Sequence, residues 1–228
     1  MKLLAIDTAA NFCAVAVYDP AMGQVLAQES EDIGKGHAER LMPMIDAVLR
    51  RSDTPISKIR KVAVAVGPGS FTGIRVGVAT ARGLALALGV PAVGVTTLEI
   101  LAADAQTTFP GREVLAAIDA RRGEIYAQRF DAAGLALDGP RASAVEALAA
   151  ELKGSGSSPV IAGSAAPLLA AAFEGMAAEI ASTAATGPVA VLARIGAGRE
   201  ADAPPVPLYL RSPDAKPQAG FAVKRSGS

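Results

Sequence analysis

The sequence predicts an α/β protein of two lobes, each a mixed sheet flanked by helices, and two observations carry that prediction. The first is an internal repeat. The stretches LLAIDTAANFCAVAVYD and VLAAIDARRGEIYAQRFD align without a gap between their aspartates, so that Asp7 and Asp19 match Asp119 and Asp131. Gly23 and Gly134 then open the next predicted strand in each half. Repetition of this kind decides an architecture more firmly than local propensity does. The second is the order of elements, β-β-β-α-β-α-β-α in the first half with the same order opening the second. A chain of 228 residues, 51% hydrophobic, holds two lobes of about 100 residues each with ample apolar material for a core.

Residues 2–8 and 13–19 are apolar runs joined by a turn-like AAN before Phe12, and read as strands. Residues 20–23 turn the chain into a third strand over 24–30. Glycines at 34 and 36 lead into a helix over 38–51 whose apolar stripe is Leu41, Met44, Ile45 and Val48. Pro43 either kinks this helix or marks its first turn. The run 62–66 is a buried strand, and VGPGSFTGIRVG after it breaks the chain sharply. Ser70 or Thr72 then caps a helix over 72–88. A strand over 92–96 and a short helix over 98–105 close the first half. The second half supplies strands at 113–120 and 160–163 and helices at 143–152, 166–173 and 189–196. The predicted division is a first lobe over 1–105 carrying partner-binding helices, and a second over 106–211 whose last helix packs back on the first. A polar tail over 212–228 is predicted to be disordered.

Lys+Arg and Asp+Glu number 22 each, so no global basic field draws the chain to nucleic acid. The single Cys13 excludes an internal disulfide and fits a reducing compartment. Asp7 interrupts the first apolar run too early for a signal-peptide core, and the long uncharged stretches carry Gly, Pro, Ser or Thr. A cytoplasmic protein without a membrane span is expected.

The glycine-rich stretch after the fourth strand looks like a ligand loop but lacks its parts. A Walker loop needs Lys after the last glycine, and Ile74 stands there. A dinucleotide fingerprint needs G-x-G-x-x-G, whereas these glycines run 67, 69, 73 without an acidic partner downstream. Ser70 is not in a nucleophile elbow. The glycines serve the helix better: Gly73, Gly77, Ala81, Ala85 and Gly89 recur every fourth residue and make a ridge without bulk. Helical glycine costs about 0.8–1 kcal/mol relative to Ala, and close helix approach would offset it. The neighbour is the Met-bearing helix of the same lobe, of a second copy, or of another protein. His37, the only histidine, has no second ligand nearby for a metal. Asp7, with Thr8 beside it, and Asp119 occupy matching strand ends of the two halves, where the actin-like fold that this element order resembles would hold metal and phosphate, yet DTAAN and DARRG lack the glycine pair that admits phosphate.

The motifs LLAIDTA, HAERLMPMIDAVL, VAVGPGSFTGIRVGVATARGLA, VTTLEILA, AAIDARRGEIYAQRF and PVPLYLR together resemble the bacterial TsaB (YeaZ) family over nearly the whole chain. That resemblance implies the duplicated actin-like ATPase fold. It implies a non-catalytic subunit with no catalytic or metal-binding residues, no tightly bound cofactor, and at most weak ATP or ADP binding. It further implies pairing with the TsaD paralogue, which transfers a threonylcarbamoyl group from threonylcarbamoyl-AMP to N6 of the adenosine beside the tRNA anticodon. The TsaE ATPase would join the pair, the chain alone would form a homodimer, and tRNA would be met only through the complex. Pairing in the family uses the two helices above, which puts Leu41, Met44, Ile45, Val48, Gly73, Arg75, Gly77 and Ala81 at the expected interface.

Overall fold

The computed structural model describes residues 1–173 and 178–211; the predicted tail over 212–228 lies outside them. Two five-stranded sheets repeat one topology, as the internal repeat requires. In the first, β1 (Lys2–Asp7) pairs antiparallel with β2 (Phe12–Asp19), and β2 with β3 (Gln24–Asp32). On its other edge β1 runs parallel to β4 (Ile59–Ala65), and β4 to β5 (Ala92–Val95). The spatial order is therefore β3-β2-β1-β4-β5. The second sheet, β8-β7-β6-β9-β10, has the same pairings. Its strands are β6 (Val114–Arg121), β7 (Glu124–Phe130), β8 (Arg141–Ala144), β9 (Val160–Ala162) and β10 (Ile180–Ser182). Strands flanked by helices on both faces read as continuous apolar runs, and β1 and β4 do.

The helices follow the repeat as well: α1 (His37–Arg51), α2 (Phe71–Leu88) and α3 (Thr97–Thr108), then α4 (Val145–Ser155), α5 (Ala166–Ala172) and α6 (Val189–Gly198). Pro43 lies inside α1 rather than in its first turn. The predicted strand opening at Gly134 is absent; residues 131–138 fold as an irregular loop pinned by the Asp131 carboxylate on the Ala133 and Leu135 amides, and β8 begins only at Arg141.

The third helix of each half crosses to the other. Helix α6 lies on the first sheet, where Val189, Val191, Leu192 and Ala193 join the core of β1, β2 and β4. Helix α3 crosses the other way. Its Leu98, Leu101, Ala102 and Ala105 pack with Val114, Ala116, Ile118 and Phe130 of the second sheet. The boundary expected at residue 105 therefore falls inside a helix that belongs to the second lobe's core. Two polar contacts fasten the end of α6. The ammonium of Lys61, buried beneath it, donates to the carbonyls of Ala197 and Arg199, a favourable place for a cation. Arg199 in turn pairs with Glu99, the residue that closes the capping box of α3 with Thr96.

The small-residue ridge of α2 faces its own sheet. A Cβ on Gly73 would lie 2.0 Å from the Thr8 carbonyl oxygen, and one on Gly77 2.3 Å from the Thr8 hydroxyl. Thr8 Oγ1 donates to the Gly73 carbonyl at 2.8 Å, and the Ser70 amide donates to the Ala9 carbonyl at 2.6 Å. Close approach does offset the cost of the glycines, but the neighbour is the end of β1 and not another helix.

Glycines on the two sides of α2 therefore respond oppositely to the same substitution. Gly73→Ala is expected to lose about 1–3 kcal/mol through overpacking against Thr8, although Ala is the better helix former. Gly83→Ala meets nothing within 4 Å and is expected to gain up to about 1 kcal/mol. Urea denaturation midpoints of the two variants check the pair.

Candidate functional site

Helices α1 and α2 lie side by side on one face of the first sheet, and their inward stripes are consumed by it. Leu41, Met44, Ile45 and Val48 of α1 are wholly buried in the lobe's core, as are Gly73, Gly77 and Ala81 of α2. These seven residues of the expected interface cannot meet a partner in this arrangement. The sequence stripe that marks an amphipathic helix marks the face turned to its own sheet. Arg75 alone of the expected set is exposed.

The opposite side of α2 is largely apolar too, whereas the exposed side of α1 carries Glu39, Asp46, Arg50 and Arg51 beside Met42. Along α2 the exposed residues include Phe71 (51% exposed), Arg75, Ala79, Arg82 and Leu86 (85%), and α1 adds Met42 (50%). Helix α2 carries Arg75 and Arg82 but no acidic residue. By length and composition it is apolar enough to cross a membrane, yet Ile74, Val78, Ala81 and Ala85 are packed on the sheet as in a core helix. At its head the Ser70 hydroxyl accepts from the Gly73 amide. One turn on, the Arg75 guanidinium lies 3.7 Å over the Phe71 ring and donates through Nε to the Tyr209 hydroxyl at 2.8 Å. The Phe71 and Tyr209 rings are 5.3 Å apart. Exposed aromatic and arginine side chains in one cluster have the composition of interface hot spots. Sequence reasoning missed Phe71, Leu86 and Tyr209. The available signal was an outward-facing Leu86 on a helix whose inward positions were already filled.

The residues expected at a nucleotide cleft are each engaged by neighbouring groups. The Asp7 carboxylate, 1% exposed, accepts from the Thr186 hydroxyl at 2.6 Å and from the Ala9 amide at 2.8 Å. Thr186 lines an inter-lobe cavity of about 520 Å³ with Phe12, Ser30, Asp104 and Ser182, but Asp7 and Thr8 are not in its wall. Asp119 is exposed, caps its own hairpin through the Arg121 amide, and borders a different cavity of about 800 Å³ beside α4 and α5. Asp7 and Thr8 line neither of these two cavities; Thr8 is engaged with Gly73 and Asp7 with Thr186. His37 is buried with Nε2 at 3.1 Å from the Ala10 carbonyl. Among the described residues no group of three His, Cys, Asp or Glu could hold a metal. Burial pushes the Cys13 thiol up to about 11, which makes it a poor nucleophile.

The family model described as TsaD, tRNA N6-adenosine threonylcarbamoyltransferase, matches residues 25–212. The tRNA threonylcarbamoyladenosine biosynthesis protein TsaB of Escherichia coli K12 is 44% identical over 126 residues, which is 55% of this chain and 53% of that protein. The chain thus aligns with about half the length of that relative. An uncharacterized protein of Mycobacterium tuberculosis H37Rv is 36% identical over 217 residues, 95% of both chains. The solved structure of YeaZ from Pseudomonas aeruginosa superposes with a TM-score of 0.74 at 28% identity, covering 92% of this chain and 99% of its own.

Burial raises the Asp7 carboxyl above its ordinary 3.8, against the lowering contributions of Thr186, the Ala9 amide and His37. The folded state then binds the proton more tightly than the unfolded one. Asp7 accordingly costs stability as pH rises from about 3.8 through its raised folded value. Asp7→Asn, which keeps an acceptor for the Ala9 amide, is expected to flatten that decline without lowering the neutral-pH unfolding midpoint. Urea titrations between pH 4 and 8 measure both.

Proposed function

The chain belongs to the TsaB (YeaZ) family, akin to the threonylcarbamoyltransferase TsaD, and from that premise we propose that it is a non-catalytic subunit of tRNA threonylcarbamoyladenosine synthesis in the cytoplasm. In this reading it pairs with the TsaD paralogue, TsaE joins the pair, and tRNA is met through the complex. The chain supplies the docking surface and leaves transfer of the threonylcarbamoyl group to TsaD. The observation that carries the reading is the outward face of α2, where Leu86 and Phe71 stand exposed beside Arg75 with the inner face already packed. The dispersal of Asp7, Thr8 and Asp119, and the single His37 held by a backbone carbonyl, favour assistance over independent chemistry. Any ATP or ADP binding is expected to be weak, because the Asp7 carboxylate would first have to leave Thr186.

Reconstitution tests the proposal. The chain is mixed with TsaD and TsaE of the same organism, tRNA and threonylcarbamoyl-AMP, and modified adenosine is measured. Omitting the chain is expected to abolish or strongly reduce the product, and the chain alone is expected to make none. Product formed by the chain alone, or an unchanged yield without it, overturns the reading. Leu86→Asp puts a charge on the docking face at a position with no packing to lose. It is expected to weaken association with TsaD by about tenfold or more, measured by titration calorimetry, with the unfolding midpoint unchanged.

A further inference from the structure

Residues 204–211 cross the molecule in a way that the docking reading does not use. Pro205 is buried against Gly94 of β5. The Leu208 amide donates to the Val66 carbonyl at 2.8 Å, past the end of β4. Tyr209 reaches the head of α2, where its ring lies tilted against Phe71 and its hydroxyl accepts from Arg75. Two residues on, Arg211 donates to the Glu124 carboxylate and to the Arg121 carbonyl, both of the β6–β7 hairpin in the second lobe. Eight residues therefore tie the first sheet, the exposed cluster on α2 and the second lobe's hairpin into one run of contacts.

Resting on the docking function above, we propose that residues 204–211 form a clasp that makes the α2 docking face conditional on the second lobe. Arg211 is its anchor and Tyr209 the positioning residue for Arg75. Without Tyr209 the Arg75 guanidinium keeps Phe71 beneath it but loses the acceptor that fixes its direction. The surface so presented is cationic and aromatic, and since α2 carries no acidic residue, it fits a partner helix offering a carboxylate to Arg75 among apolar side chains.

The clasp is weak by construction. Its ion pair is partly exposed, with 26% of the Arg211 and 46% of the Glu124 side chain accessible, and such a pair shifts an equilibrium by about fivefold at most. The experiment uses Arg211→Ala, Tyr209→Ala, and the charge exchange Arg211→Glu with Glu124→Arg, all in the full chain. Hydrogen exchange of the Leu208 and Ile74–Gly77 amides is read on the chain alone, and affinity is read with purified TsaD. Arg211→Ala is expected to speed exchange at Leu208 and to weaken TsaD binding about two- to fivefold. Tyr209→Ala is expected to weaken binding about tenfold, and the charge exchange to recover most of the loss from Arg211. Faster exchange with unchanged affinity overturns the proposal, as does unchanged exchange. If Leu86→Asp leaves TsaD binding intact while Arg211→Ala still weakens it, the outward face of α2 is not the docking face and the segment acts on binding elsewhere. The reverse pattern removes the clasp and leaves the docking face.

Discussion

The contact on which the first lobe depends is the seating of the head of α2 on the turn after β1. The Ser70 amide on the Ala9 carbonyl, the Thr8 hydroxyl on the Gly73 carbonyl, and glycines at 73 and 77 under Thr8 bring helix and hairpin to van der Waals limits. Buried polar groups must find partners somewhere. Here the Thr8 hydroxyl and the Ala9 carbonyl of the hairpin find theirs on the helix. The same seating fixes where α2 points, hence which of its residues remain outside. One packing event thus seats the glycine loop and leaves Phe71, Arg75 and Leu86 on the outside.

Electrostatics in the interior reinforce that closure. Asp7 sits at the end of β1 without a cation in contact, and its oxygens are held by a hydroxyl from the loop before α6 and by an amide two residues on. A carboxylate so placed costs desolvation energy, and the hydrogen bonds return part of it. An aspartate engaged in this way joins the loop before α6 to β1 and contributes to cohesion between the halves. Lys61, by contrast, meets the carbonyls at the end of α6, where its charge is compensated by the helix terminus.

Much of the fold was legible because the repeat and the apolar periodicities are one-dimensional. Asp7 matching Asp119, the stripe at Leu41, Met44, Ile45 and Val48, and the Ser70 cap are local facts that survive folding unchanged. What the sequence did not disclose was direction. Periodicity identifies a buried stripe but not what buries it, so the ridge from Gly73 to Ala85 and the stripe of α1 both read as contact surfaces for a partner. They turned out to meet the chain's own strands. Leu86 was legible only as a residue left over once the inward positions of α2 were filled, and Tyr209 reaches Arg75 only because a segment 134 residues away returns across the lobe. The crossing of α3 was hidden for the same reason, since nothing in its composition says whose sheet it covers. Residues that depend on long-range return are the ones a linear reading misses.

The mutual crossing of α3 and α6 has a further consequence. Each half of the repeat gives its last helix to the other, which is the connectivity of a domain-swapped pair joined into one polypeptide. Neither half can bury its own sheet face alone, so a single half is an incomplete folding unit and the two must mature together. Covalent joining replaces an encounter between two molecules by one within the chain, at an effective concentration set by the linker rather than by expression level. The integrity of the fold thereby becomes independent of how much protein is present.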